Sequence, residues 1–265
     1  MTDPLAELHR ALAEGDLRLE GRLADASNAT LRGWVDSPAG EIRCVYKPVR
    51  GERPLWDFPT GTLSGREVAF YQLASLLEWP LVPPTVWREH GPYGEGSCQL
   101  WIDADVEASA VDLVPVPQTR DGWAVVLEGT DGSGRSVRLI HATTREVQRL
   151  ALLDAIGNNA DRKGGHILID AAGRLWGIDH GVTFHADDKL RSVLWGWAGE
   201  EIPADELGDI DRLADRLLGD EARRVTAWLD DAEIEALHAR VGRLREERRF
   251  PLPSPEWPAI PWPVF

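Results

Sequence analysis

A chain of 265 residues, 43% hydrophobic and 28% charged, has the composition of a globular protein long enough to bury one sizeable core or two small ones. Its formal net charge of −15 argues against nucleic acid or an anionic membrane surface as a partner. Two cysteines, Cys44 and Cys98, without CxxC or zinc spacing, an N-terminus without a basic-then-apolar leader pattern, and no apolar run approaching the ~20 residues of a membrane span point to a cytoplasmic setting and buried, unpaired thiols.

Asp3-Pro4 before LAELHRALAE, with Gly15 beyond it, predicts a short capped helix. Residues 17–24, 30–35 and 41–47 alternate or carry β-branched and aromatic residues. They are separated by DASNA (25–29) and DSPAG (36–40), which predicts three antiparallel strands. Residues 48–63 are rich in Pro, Gly and Trp and read as a loop. From Ser64, apolar residues at Val68, Tyr71, Leu73, Ala74, Leu76 and Leu77 predict an amphipathic helix. Residues 81–87 and 97–102 read as two further strands, which makes a small sheet carrying one inserted helix. A loop over 103–121 and a hairpin around DGSG (131–134) come next. The helix REVQRLALLDAIG (145–157) has Thr143 or Thr144 to cap it, and a short hairpin turns at DAAG (170–173). Two stretches of 3.6-residue periodicity fill 203–249, ahead of a tail, PLPSPEWPAIPWPVF, too rich in proline for a helix or a central strand.

Four features stand in an order that suits phosphate chemistry. The turn DASNA can direct backbone N–H groups at an anion, although an ordinary hairpin has the same composition. Lys47, at the end of the third strand, can reach phosphate oxygens as a point charge or lie on the surface. It is one of three lysines, with Lys163 and Lys189, in a chain where Arg fills most cationic positions, and a lysine offers a compact charge that arginine does not. Glu67, in the first turn of the next helix, either pairs with Lys47 or completes a Ser64-x-x-Glu67 capping box. Asp161 in NNADRKGGHI and Asp179 in GIDHG fall near one another on a hairpin. One can take or orient the proton of an attacking hydroxyl while the other holds magnesium on phosphates, and singly they would be turn formers. His166, five residues after Asp161, can add a metal ligand.

With these motifs in this order, residues 27–185 resemble the type II phosphatidylinositol 4-kinases and, more distantly, HipA-type and phosphatidylinositol 3-kinase-like enzymes. CVYKPVRGERP resembles the family's strand ending in Phe-Lys-Pro, and REVAFYQLASLL with LVPPT its Glu-bearing helix followed by Val-Pro-Pro-Thr. GSCQLWID resembles the hinge, ADRKGGHILI the Asp-Arg-x-x-x-Asn loop, and GIDHGVTF the Ile-Asp-Asn-Gly metal motif. The resemblance implies an α+β, two-lobed, protein-kinase-like fold of the phosphatidylinositol-kinase type. An antiparallel N-lobe sheet (1–102) would end in the hinge, and a mainly helical C-lobe (103–265) would follow, with ATP in the crevice. It implies that Ser27 and Asn28 lie over the phosphates and that Lys47 contacts them with Glu67 as its partner. Gln99 to Ile102 would receive adenine, with Trp101 and Ile102 as the contacts. Asp161 would be catalytic, and Asp179 with His166 would hold Mg2+ or Mn2+.

Two departures qualify the expected reaction. His166 stands where the family has a metal-binding Asn, and magnesium prefers oxygen donors, so a second cation is weakened, replaced by manganese or absent. The family's cysteine-rich, lipid-modified insertion is missing, which with the charge disfavours a phosphoinositide acceptor. The expected activity is ATP-dependent phosphoryl transfer to a protein, including the chain itself, or to a small polyol. The alternatives are a nucleotide-binding pseudokinase scaffold and an AMP transferase on the same fold. Trp195 and Trp197 fall where the family has its acceptor segment and either line a pocket or pack in the core. Trp257 and Trp262 in the tail either dock back on the protein or meet a partner.

Overall fold

The computed structural model describes residues 3–22, 29–53, 55, 58 and 63–265. Helix α1 (Pro4–Glu14) begins as its sequence dictates: Asp3 Oδ1 accepts the Leu5 amide at 3.0 Å, and the Gly15 amide closes the last turn on Ala11 O at 2.8 Å. Strands β1 (Leu17–Arg22), β2 (Leu31–Ser37) and β3 (Gly40–Pro48) follow. Helix α2 (Leu63–Leu76) is inserted before β4 (Thr85–Arg88) and β5 (Gly96–Leu100). The five strands form one antiparallel sheet in the order β1-β2-β3-β5-β4. Alternation along each strand sorts the side chains onto two faces. Leu31, Val35, Cys44, Tyr46 and Cys98 pack with Leu12 of α1 and Leu17 into a small core, where both cysteines are buried and free as expected. Arg43, Val45 and Lys47, one residue out of phase with Cys44 and Tyr46, take the opposite face.

Helix α2 departs from its predicted amphipathic character. Every residue is buried except Gln72 and Ser75, because Phe70, Leu73 and Leu76 join the larger core assembled by the C-terminal helices. Of the two readings of Glu67, the capping box does not form: the Glu52 carboxylate accepts the Leu63 and Ser64 amides at 3.0 and 2.8 Å, a negative group at a helix N-terminus.

After β5, a second sheet has the order β6-β8-β7, from β6 (Val111–Pro115), β7 (Trp123–Thr130) and β8 (Ser136–Ala142). The hairpin predicted around DGSG is β7–β8. Strand β6 lies inside the stretch predicted as loop, since VDLVP is short, interrupted by Asp112 and closed by Pro115, and only its ladder with β8 makes it a strand. Helix α3 (Arg145–Gly157) is capped by Thr144, and the hairpin of β9 (Ile167–Ile169) and β10 (Leu175–Gly177) follows. Helices α4 (Ala204–Leu218), α5 (Arg223–Thr226) and α6 (Asp231–Glu247) complete the chain's regular structure. Leu150 and Ile156 of α3, Leu207, Ile210 and Leu213 of α4, and Leu237 and Val241 of α6 build the larger core with α2. The architecture is α+β as expected, an antiparallel N-terminal sheet followed by a mainly helical C-terminal part. Among the described residues no helix is long and apolar enough to cross a membrane.

Candidate active site

Strand β3 delivers Lys47 to the face of the sheet that α2 covers. There its ammonium donates to Glu67 Oε1 and, at 2.8 Å, to Asp179 Oδ1. The second oxygen of Glu67 accepts the His180 amide at 3.0 Å. Glu67 is therefore an ion-pair partner rather than a capping residue. Its side chain is 2% exposed, that of Lys47 18% and that of Asp179 52%, so the ammonium is held between a buried carboxylate and an accessible one. Burial pushes the Glu67 carboxyl up, against the pull of Lys47. The Lys47 charge holds Asp179 well below the usual carboxylate range. Burial alone would lower the Lys47 ammonium, but the two carboxylates outweigh it and raise it above its ordinary value.

The β9–β10 hairpin and its flanks bring the remaining predicted residues alongside. Asp179 adopts φ +60°, a left-handed conformation that Asp tolerates better than most residues. His166 Nε2 lies 3.4 Å from Asp179 Oδ2, and its Nδ1 is buried with no partner among the described residues. Burial lowers the His166 pKa, and both Asp179 and Asp161 pull it back up, which favours the neutral imidazole that ligates metals. Asp161 holds Lys163 Nζ at 3.2 Å, and its amide is fixed by Asn159 Oδ1 at 3.0 Å. His180 is completely buried, its ring stacked on Phe70 with centroids 3.9 Å apart.

Arg162 joins these pieces. It is fully buried and grips both oxygens of buried Asp154 in α3 at 2.8 Å. Its remaining nitrogen donates to His166 O at 3.2 Å and Ile178 O at 3.0 Å. One guanidinium thus ties the loop carrying Asp161 to the loop carrying Asp179.

Of the expected adenine contacts, Gln99 is buried and donates its side-chain amide to Thr85 Oγ1 at 2.7 Å, so it supports the sheet. Trp101 and Ile102 are half-buried. The Trp101 indole donates to Asp103 Oδ1 at 2.9 Å, and the Arg32 guanidinium lies over its ring. Ser27 and Asn28 lie outside the described residues. Trp197 is buried between His141 and Phe250, and Trp195 donates to Ala259 O, so both tryptophans serve packing. Sequence reasoning missed Arg162, Asp154, Lys163 and Glu52. A lone Asp inside the apolar run LALLDAIG, and a second scarce lysine two residues after Asp161, were the available signals.

Among the described residues no group of three His, Cys, Asp or Glu side chains is poised around a metal. Asp179 and His166 offer two donors. Catalytic magnesium and manganese commonly take their other donors from phosphates and water, so this pair fits a cation that arrives with a nucleotide.

No protein-family model matches the chain. A solved structure, that of the Helicobacter pylori proinflammatory kinase CtkA, aligns with 90% of this chain and 94% of its own at 10% identity, with a TM-score of 0.45. Protein Rv2133c of Mycobacterium tuberculosis (strain ATCC 25618 / H37Rv) is 44% identical over 266 residues, 97% of this chain and 95% of that protein. At that identity along nearly the whole of both sequences, the chain belongs to the family of the mycobacterial Protein Rv2133c.

Proposed function

We propose that this protein is an ATP-dependent phosphotransferase with a two-lobed, kinase-like division near residue 102. The observation that carries the reading is the meeting of Lys47 with Glu67, 20 residues away, and with Asp179, 132 residues away. A lysine between a buried and an exposed carboxylate has one permanent partner and one exchangeable partner. Glu67 fixes the ammonium in place, while accessible Asp179 can release it to phosphate oxygens and turn to a cation. Asp179 and His166 are the residues that would hold a divalent metal, which when bound withdraws charge from the phosphates.

Asp161 then accepts the proton of the acceptor hydroxyl. The hydroxyl oxygen forms its bond to the γ-phosphorus, the bond from that phosphorus to the bridging oxygen breaks, and its electron pair leaves on ADP. Lys163, paired with Asp161, orients that carboxylate and faces the charge that accumulates on the transferring group. Positioned charges of this kind each contribute roughly a hundred- to a thousandfold in rate. The supply of ATP and two free, buried thiols suit the cytoplasm.

The test is a set of three variants. Asp161→Asn retains the rise in melting temperature that ATP produces and loses turnover. Lys47→Ala and Asp179→Asn lose nucleotide affinity as well. Undiminished phosphate release in all three refutes the assignment. One observation favours a second reading, a nucleotide-binding scaffold: the metal pair includes a nitrogen donor, His166, where oxygen suits magnesium better. Stabilisation by ATP without release of γ-phosphate in either magnesium or manganese selects the scaffold.

A further inference from the structure

The proline-rich tail lies against the active site. Its Trp257 ring packs on Lys189 and Arg191, with Nζ and Cζ 4.8 and 5.5 Å from the ring centroid. Ala259 O accepts two donors, the Ser192 amide at 2.9 Å and the Trp195 indole at 2.8 Å. Val264 O accepts the Gly164 amide at 2.8 Å, within the loop that carries Asp161. The Phe265 ring then covers Gly164 so closely that a Cβ there would stand 2.4 Å from it. The φ of residue 164 is not positive, so glycine serves there to let the Phe265 ring seat on a bare α-carbon, and a larger residue would displace that ring.

The two surfaces the tail crosses are themselves joined. Arg162 and Ser192 form a parallel bridge, with the Arg162 amide on Arg191 O at 3.0 Å and the Val193 amide on Arg162 O at 3.2 Å. Segment 189–195 and loop 161–166 therefore form one continuous rim beside Asp161. An extended polypeptide recognises such a rim through main-chain hydrogen bonds. Here the Ser192 and Gly164 amides already pair with carbonyls of this chain. Pro258, Pro261 and Pro263 lack N–H groups and stiffen the segment, so little conformational entropy is lost in seating it.

We propose that residues 257–265 are a built-in strap occupying the polypeptide-binding rim beside Asp161, so that the acceptor is a small soluble hydroxyl compound, a polyol or sugar, rather than an extended peptide. This rests on the phosphotransferase reading above. Trp257 is half-buried, Phe265 is 48% exposed, and neither belongs to a hydrophobic core, so these contacts can be weakened without opening a core.

The experiment uses the full chain and a Trp257→Ala/Phe265→Ala variant, with Trp195→Phe as a milder second variant that removes one bond to Ala259 O. Each receives γ-labelled ATP with magnesium or manganese, a panel of glycerol, inositol and ribose, and an unstructured peptide mixture containing Ser, Thr and Tyr. The unaltered chain labels a member of the small-molecule panel and leaves the peptides unlabelled. The double variant gains peptide labelling by about tenfold or more, as expected when a competing intramolecular segment is released. Peptide labelling by the unaltered chain at the variant's rate overturns the proposal. Hydrogen exchange at the Gly164 and Ser192 amides tests the strap apart from the chemistry: slow exchange in the unaltered chain and faster exchange in the variants supports it, and equally fast exchange in both overturns it. An absence of any thermal shift with ATP, with those amides still protected, defeats the phosphotransferase reading and with it the acceptor assignment.

Discussion

Replacing Arg162 probes whether one buried guanidinium holds the candidate catalytic loop. Its two 2.8 Å bonds to Asp154 and its contacts to His166 O and Ile178 O use donors fixed in a planar fork, a geometry that a lysine ammonium cannot reproduce from one point. In Arg162→Ala the Asp154 carboxylate stays buried with the Asn159 amide, at 2.9 Å, as its remaining side-chain donor among the described residues. Removing one partner of a buried pair costs about 3–5 kcal/mol, a large share of the roughly 5–15 kcal/mol that holds a domain together. The urea midpoint should fall with little change in slope, and the melting temperature should drop by roughly 6–20 °C, at about 2–4 °C per kcal/mol for a chain of this size. Arg162→Lys should lose about half as much, keeping the charge and losing the bidentate geometry. Because the tethered carbonyls belong to His166 and to the residue before Asp179, the proposed phosphate transfer should also fall well below the folded fraction at temperatures where the variant remains folded. A loss under about 1 kcal/mol in Arg162→Ala, the scale of a surface pair, would refute the assignment of Arg162 as the anchor.

Acid should destabilise the protein through His141. Its Nε2 accepts the Gly196 amide at 2.9 Å, which places the neutral ring's proton on Nδ1, donated to Ala142 O at 2.9 Å. Burial pushes its pKa below the usual 6.5, so as pH falls the unfolded chain takes up the proton first; the stabilisation is complete above 6.5 and is lost on moving below it. Melting temperatures measured between about pH 7.5 and pH 5.5 should decline, and His141→Gln should decline less, whereas a rise on acidification contradicts the assignment. His166→Asn should shift metal preference, raising magnesium-supported turnover severalfold relative to manganese by supplying an oxygen donor. An unchanged preference removes His166 from the proposed metal site.

Much of the candidate site's sequence signature was legible because its parts are local patterns. Lys47 was singled out by its place at a strand end and by the scarcity of lysine, and Asp161 and Asp179 by polar loops beside a short apolar hairpin. What was not legible follows from competing local solutions. Ser64 and Glu67 have the spacing of a capping box, and nothing within those four residues excludes it. It fails because Glu52, whose carboxylate comes from the loop before α2, takes the helix amides and leaves Glu67 to Lys47. Helix α2 read as amphipathic because the sequence cannot tell solvent from a second packing partner, and the larger core covers the face that periodicity left open. Strand β6 carries too few residues to show alternation and exists through its ladder with β8.

By itself, the amino-acid order determined the helices, most of the strands and the types of chemical group each loop presents, since periodicity and turn chemistry act over a few residues. Tertiary structure alone decided which cation meets which carboxylate across 132 residues, and that the Phe265 ring seats on the bare α-carbon of Gly164. Those pairings depend on burial and on the packing of distant segments, where a charge or a bare α-carbon is favourable only once its partner has been brought alongside.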